Sequence, residues 1–187
     1  KLASPVMQAA DCASFWRDGL VPDATTYPCF LWGEESVAGI SQRVYFPTDW
    51  RGDADKYAYY EAAREAARLA ANTYSGLGAM PRVYIVFAFD LNWGAPDPTR
   101  SFLGTNFFGA GEPCGVVIFP TSIGMDIGTF KQAVAHELFH CFSVKNIYEH
   151  RPVNYLTNMW WIEGGADYFS NVVYPEVDAE YRYIQYL

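Results

Sequence analysis

The stretch His136-Glu137-Leu138-Phe139-His140 narrows the possibilities for this chain more than any other. Its surroundings predict a helix. Phe130, Val134, Leu138 and Phe142 recur at i, i+4 and form one apolar stripe. His136 and His140 stand two residues off that stripe, about 200° around at 3.6 residues per turn, and so project from the other side. Thr129 is the N-cap expected for this helix, which then runs to about Val144. Side chains four apart lie one turn above each other, so the two imidazoles point at one place.

Two imidazoles at that spacing can reach a single ion, and Glu137, beside the first, can take a proton from ion-bound water. Zinc lowers the pKa of such water enough to supply hydroxide near neutral pH. The chain has 3 histidines, and two of them are spent here, which makes a pair of ordinary helix histidines the weaker explanation. A hydrolytic site of this kind needs a third protein ligand with a fourth position left for water. Trp160-Trp161-Ile162-Glu163-Gly164-Gly165-Ala166-Asp167-Tyr168 offers it in Glu163, a carboxylate set among apolar and small residues. A second helix is expected from Trp160 to about Val173, ended by Pro175, with its small residues allowing close approach to the first. Asp167 lies one turn beyond Glu163 and could accept the free N–H of a ligand histidine, fixing its tautomer.

Upstream, residues 1–36 carry Pro5, Pro22, Pro28 and two cysteines, and read as an irregular arm. A domain over 37–187 follows, open to being incomplete at its C-terminus. Ile40 to Phe46 is β-branched and aromatic and predicts a strand ending at Pro47. Lys56 to Tyr74 is alanine-rich, opens after Asp53 and Asp55 and closes at Gly76 and Gly78, which predicts a long helix. Arg82 to Phe89 and Gly115 to Phe119 are apolar strands, with a Gly- and Pro-rich loop expected from Asn92 to Pro113. This order suggests an α+β domain with helices against one face of a small sheet.

A net charge of −8 and no Lys/Arg cluster argue against nucleic acid and against an anionic membrane surface. The longest apolar run, Val83 to Phe89, is far too short for a membrane span. Cys12, Cys29, Cys114 and Cys141 allow three disulfide pairings, or four buried thiols. Cys12–Cys29 and Cys114–Cys141 are favoured, the first two being close in the chain and the others flanking the proposed site. Disulfides imply an oxidising compartment, and a chain opening on Lys1 fits removal of a leader, so a secreted or extracytoplasmic location is expected.

His136, Glu137, His140 and Glu163 together resemble the gluzincin branch of the zinc peptidases, in which HExxH is followed on a later helix by a glutamate ligand. Gly109-Ala110-Gly111-Glu112-Pro113-Cys114 further resembles the Gly-x-Met-Glu-Asn segment of the aminopeptidase N-like group, with Gly111 and Pro113 standing where that group has Met and Asn. The resemblance covers about residues 57–175. It implies a zincin-like fold, the thermolysin-like catalytic subdomain, with a small mixed sheet whose edge strand lies over the HExxH helix. It also implies a Zn2+ ion, a peptide or protein substrate along the edge strand, and Glu112 as anchor for a substrate amine. The group's large N-terminal β-domain has no room here, and its transition-state tyrosine lies beyond the last residue. Tyr155 is the first candidate for stabilising the oxyanion, because thermolysin-like gluzincins place a tyrosine near there, with Tyr168 and His150 behind it.

The expected activity is zinc-dependent hydrolysis of peptide bonds, with Glu137 as general base. Two alternatives stand beside it. One is a catalytically inactive zincin-fold binding module. The other, weaker, is a peptide deformylase-like enzyme using Cys114 as its third ligand.

Overall fold

The computed structural model describes residues 29–47, 50, 52–87, 103–107, 114–148 and 159–176. Their elements are β1 (Cys29–Val37), β2 (Ile40–Pro47), α1 (Ala54–Ser75), β3 (Val83–Phe87), β4 (Leu103–Phe107), β5 (Cys114–Ile118), α2 (Ile127–Ser143) and α3 (Met159–Val173). The strands form one five-stranded sheet in the order β1-β2-β3-β5-β4. Its inner pairs, β2–β3 and β3–β5, are parallel, whereas β1 and β4 run antiparallel to their neighbours at the two edges. The architecture is therefore α+β with a mixed sheet.

Two strands lie where irregular chain is expected from the sequence. Cys29–Val37 falls largely inside the proposed arm over 1–36, yet it pairs with β2 through a turn at Ala38 and Gly39. Both turn residues have positive φ, 51° and 79°, the backbone whose twist matches a two-residue hairpin. Leu103–Phe107 lies inside the loop expected from Asn92 to Pro113 and is the edge strand, held by its register with β5. Residues 109–113, proposed as the edge-strand segment, lie outside the described residues. The strand expected from Gly115 to Phe119 is β5, and it is interior rather than an edge.

α1 connects the parallel pair β2 and β3, the crossover that parallel strands require. Asp53 caps it, its Oδ1 accepting from the backbone N–H of Asp55 and Lys56 at 3.1 Å each. Its buried side carries alanines along the middle, Ala62, Ala63, Ala66, Ala67, Ala70 and Ala71, between Tyr59 and Tyr60 at one end and Tyr74 at the other, and the small residues leave room for the sheet and α2 to approach the helix closely. Val44 and Phe46 of β2, Val83, Ile85 and Phe87 of β3, and Val116 and Ile118 of β5 share the core with that face. Phe130, Val134, Leu138 and Phe142 of α2 complete it, as the i, i+4 stripe predicts. Truncating a fully buried residue such as Leu138 to alanine would cost about 2–5 kcal/mol.

α2 starts earlier than expected. Its cap is Asp126, whose Oδ1 accepts from Thr129 N at 3.1 Å, so Thr129 sits in the first turn. Gly124, at φ 108°, turns the chain into that cap, and Tyr59 of α1 pins the turn: its hydroxyl donates to Met125 O at 2.6 Å and accepts from Gly124 N at 2.7 Å. At the other end α2 passes into a π-helical turn, Val144–Tyr148. There Asn146 donates to Phe142 O and to Ala79 O, both at 2.7 Å, and accepts from Ala79 N at 3.0 Å. Gly78 is needed for that clamp, because a Cβ there would meet Asn146 Oδ1 at 2.6 Å. Among the described residues no helix is long and apolar enough to cross a membrane.

Candidate metal centre

The site is built from one turn of α2 and the first half of α3. Tyr74, at the end of α1, touches both helices. Its buried hydroxyl donates to Ala135 O at 3.0 Å, and its ring lies edge-on to Phe139 of α2 and Phe169 of α3. Phe139 and Phe169 stack directly, with centroids 4.6 Å apart. Gly165 faces the same ring: a Cβ there would stand 3.2 Å from Phe139 Cε1. Gly165 thus permits the close approach expected of the small residues after Glu163. Gly164 does not take part, since a Cβ there would meet nothing within 4 Å. Farther along, Gln132 of α2 donates to Asn171 Oδ1 of α3 at 3.2 Å, tying the same two helices, and Asn171 in turn donates to Asp167 O within α3 at 2.9 Å.

This packing brings His136, His140 and Glu163 together. His140 Nε2 and His136 Nε2 are 3.0 Å apart, and Glu163 Oε2 is 3.2 Å from His136 Nε2 and 3.3 Å from His140 Nε2. Three tetrahedral donors around an ion at about 2.0 Å stand about 3.3 Å from one another. The triangle has that size, and the three residues are grouped closely enough to hold a metal ion. The donor set, two imidazoles and a carboxylate, suits a divalent transition ion. All three side chains are largely buried, with 14%, 8% and 17% exposure for His136, His140 and Glu163.

Asp167 Oδ1 lies 2.8 Å from His136 Nδ1, the nitrogen turned away from the triangle. This contact governs the charge of the metal-free site. Burial disfavours a charged His136, but hydrogen bonds to Asp167 and Glu163, with the nearby Glu137 carboxylate, outweigh it and raise its pKa to about 10. Burial pushes Glu163 upward, and hydrogen bonds from His136 and His140 outweigh that, holding it at about 2. His140 Nδ1 is buried and has no hydrogen-bond partner among the described residues.

Other proposed residues are placed less centrally. Glu137 is partly buried on α2 beside His136. Tyr168 is on α3 but 63% exposed, its ring edge-on to Phe169. Tyr155, His150 and Glu112 lie outside the described residues, as does Cys12 and with it the Cys12–Cys29 pairing. Cys114 and Cys141 form the expected disulfide, with Cα atoms 5.7 Å apart. The bond consumes the Cys114 sulfur, so the deformylase-like use of that thiolate as a third ligand is incompatible with the structure.

Tyr74, Asn146 and Gln132 were not legible as supports of the site. Comparison with protein families, with curated proteins and with solved structures finds no match to this chain.

Proposed function

We propose that the chain is a zinc-dependent peptidase of the gluzincin kind, with a zincin-like fold. The observation that carries the reading is the donor triangle of His136, His140 and Glu163, with Glu137 next to one vertex and Asp167 behind it. The mixed sheet with an antiparallel edge strand beside α2 is the architecture that reading expects. Zinc is the metal proposed, because two imidazoles and one carboxylate leave its tetrahedral shell one open position for water.

In the proposed mechanism His136, His140 and Glu163 hold the ion. When bound, it lowers the pKa of water and polarises the scissile carbonyl. Glu137 takes the proton from the attacking water and passes it to the leaving amine. Asp167 would accept from His136 Nδ1–H, which fixes the tautomer and orientation in which Nε2 faces the ion. Tyr155 is the candidate for stabilising the oxyanion and Glu112 for receiving a substrate amine. The Cys114–Cys141 disulfide fits an oxidising compartment, and secretion is the location proposed.

The test compares the purified protein with its Glu137→Gln variant on a peptide mixture of which half is N-acetylated, with products read by mass spectrometry. Both proteins should bind about one zinc, and only the wild type should cleave. Equal cleavage by the variant would remove Glu137 from the mechanism. Zinc uptake with no cleavage by either would favour the inactive binding module.

A further inference from the structure

The two candidate ligand histidines are fixed in different ways. His136 is oriented through its second nitrogen, which Asp167 engages at 2.8 Å. His140 lacks any such bond, its Nδ1 being buried and without a hydrogen-bond partner among the described residues. A metal-binding histidine ordinarily donates its second N–H to an orienting partner, and loss of that partner weakens binding. His140 also occupies a weak place in its helix. It lies in the last turn of α2, and its carbonyl accepts from the Val144 N–H where the α-helix gives way to the π-helical turn. The Asn146 clamp holds the turn that follows, so the restraint closest to the His140 ring comes from the residues beside it.

The next residue supplies that restraint. Cys141 is joined to Cys114, and the two are 1% and 3% exposed. Cys114 heads β5, where its register partners are Val83 of β3 on one side and Phe107 of β4 on the other. The crosslink thus ties the backbone beside His140 to an interior strand of the sheet. We infer that the Cys114–Cys141 disulfide is the positioning device for His140, holding its ring in the donor triangle as Asp167 holds His136. The inference rests on the metal reading of that triangle. It gives the disulfide a role in metal affinity, separate from its effect on global stability.

The experiment measures zinc affinity by competition with a chromophoric chelator, and records the visible spectrum of the cobalt-loaded protein. It compares wild type, the Cys114→Ala/Cys141→Ala double variant, and Ile85→Ala, which removes a buried side chain from β3 and leaves the crosslink intact. The double variant, assayed where it is folded, should bind zinc about 10- to 100-fold more weakly, with an altered cobalt spectrum. Ile85→Ala should lose stability while keeping affinity and spectrum. Wild-type affinity and spectrum in the double variant would overturn the inference alone. Absence of zinc uptake by the wild type would overturn the metal reading and this inference with it. Should the double variant not fold, amide exchange in the metal-free wild type decides. Protection from Cys141 to Val144 that falls selectively when the disulfide is reduced, with that at Leu138 retained, supports the crosslink as a restraint, and protection of that turn unchanged on reduction overturns it.

Discussion

Asp167 Oδ1 and Glu163 Oε2 contact opposite nitrogens of the same ring, His136, at 2.8 Å and 3.2 Å. Both carboxylates come from α3, one helical turn apart, so a single helix supplies a donor to the triangle and the group that orients another donor.

Replacing Asp167 by Asn should test that arrangement without changing volume. The amide can still accept, but it removes the charge that favours the Nδ1–H tautomer. Zinc affinity is expected to fall about 10- to 100-fold with the fold retained. Isothermal titration of the metal-free protein checks this, and an unchanged dissociation constant would separate Asp167 from the site.

The two adjacent glycines of α3 should respond in opposite directions. Gly164→Ala adds a Cβ into open space and should stabilise the protein by up to about 1 kcal/mol, the gain of Ala over Gly in a helix. Gly165→Ala drives a Cβ to 3.2 Å from Phe139, which its stacking on Phe169 holds in place, and should cost about 1–3 kcal/mol. Urea unfolding of the metal-free proteins reads both. Equal shifts for the two variants would contradict the proposed contact between helices.

The metal-free protein should have a bell-shaped stability profile. The pKa of His136 is raised from 6.5 to about 10, so its stabilisation is complete below about pH 6.5 and lost as pH rises through 10. That of Glu163 is lowered from 4.5 to about 2, so its stabilisation is complete above about pH 4.5 and lost as pH falls through 2. Both contributions are whole between those limits. Thermal melts in chelator from about pH 3 to 10 should peak near pH 5–6, and Glu163→Gln should flatten the acid limb most. A wild-type melting temperature that climbs steadily from pH 6 to 10 would show that His136 is not held protonated.

Much of the site was legible because its signals are local. The spacing of His136 and His140 needs only one helical turn, and the alanine pattern of α1 and the stripe from Phe130 to Phe142 each follow from 3.6-residue periodicity. Glu163 stood out as an acid among apolar and small residues. What stayed hidden depends on pairing between distant segments. Leu103-Gly104-Thr105-Asn106-Phe107 contains two poor strand formers and is a strand because β5 offers it an edge. The β1–β2 hairpin turns on Ala38-Gly39, where alanine at positive φ replaces the Asn or Asp that usually marks such turns. Thr129 lost the cap to Asp126 because the earlier carboxylate reaches its backbone N–H.

The donor triangle draws two members from α2 and one from α3, across a boundary held by Phe139, Phe169 and Gly165. Metal capture is therefore conditional on docking of the last helix. If only a tenth of molecules had α3 docked, the apparent dissociation constant would be about ten times the intrinsic one. Free metal would in turn draw the remainder into the docked population. Affinity for the ion is thus a gauge of how completely the last helix docks, and a substitution at that helix boundary can weaken binding by thinning the competent fraction while every ligand stays in the chain.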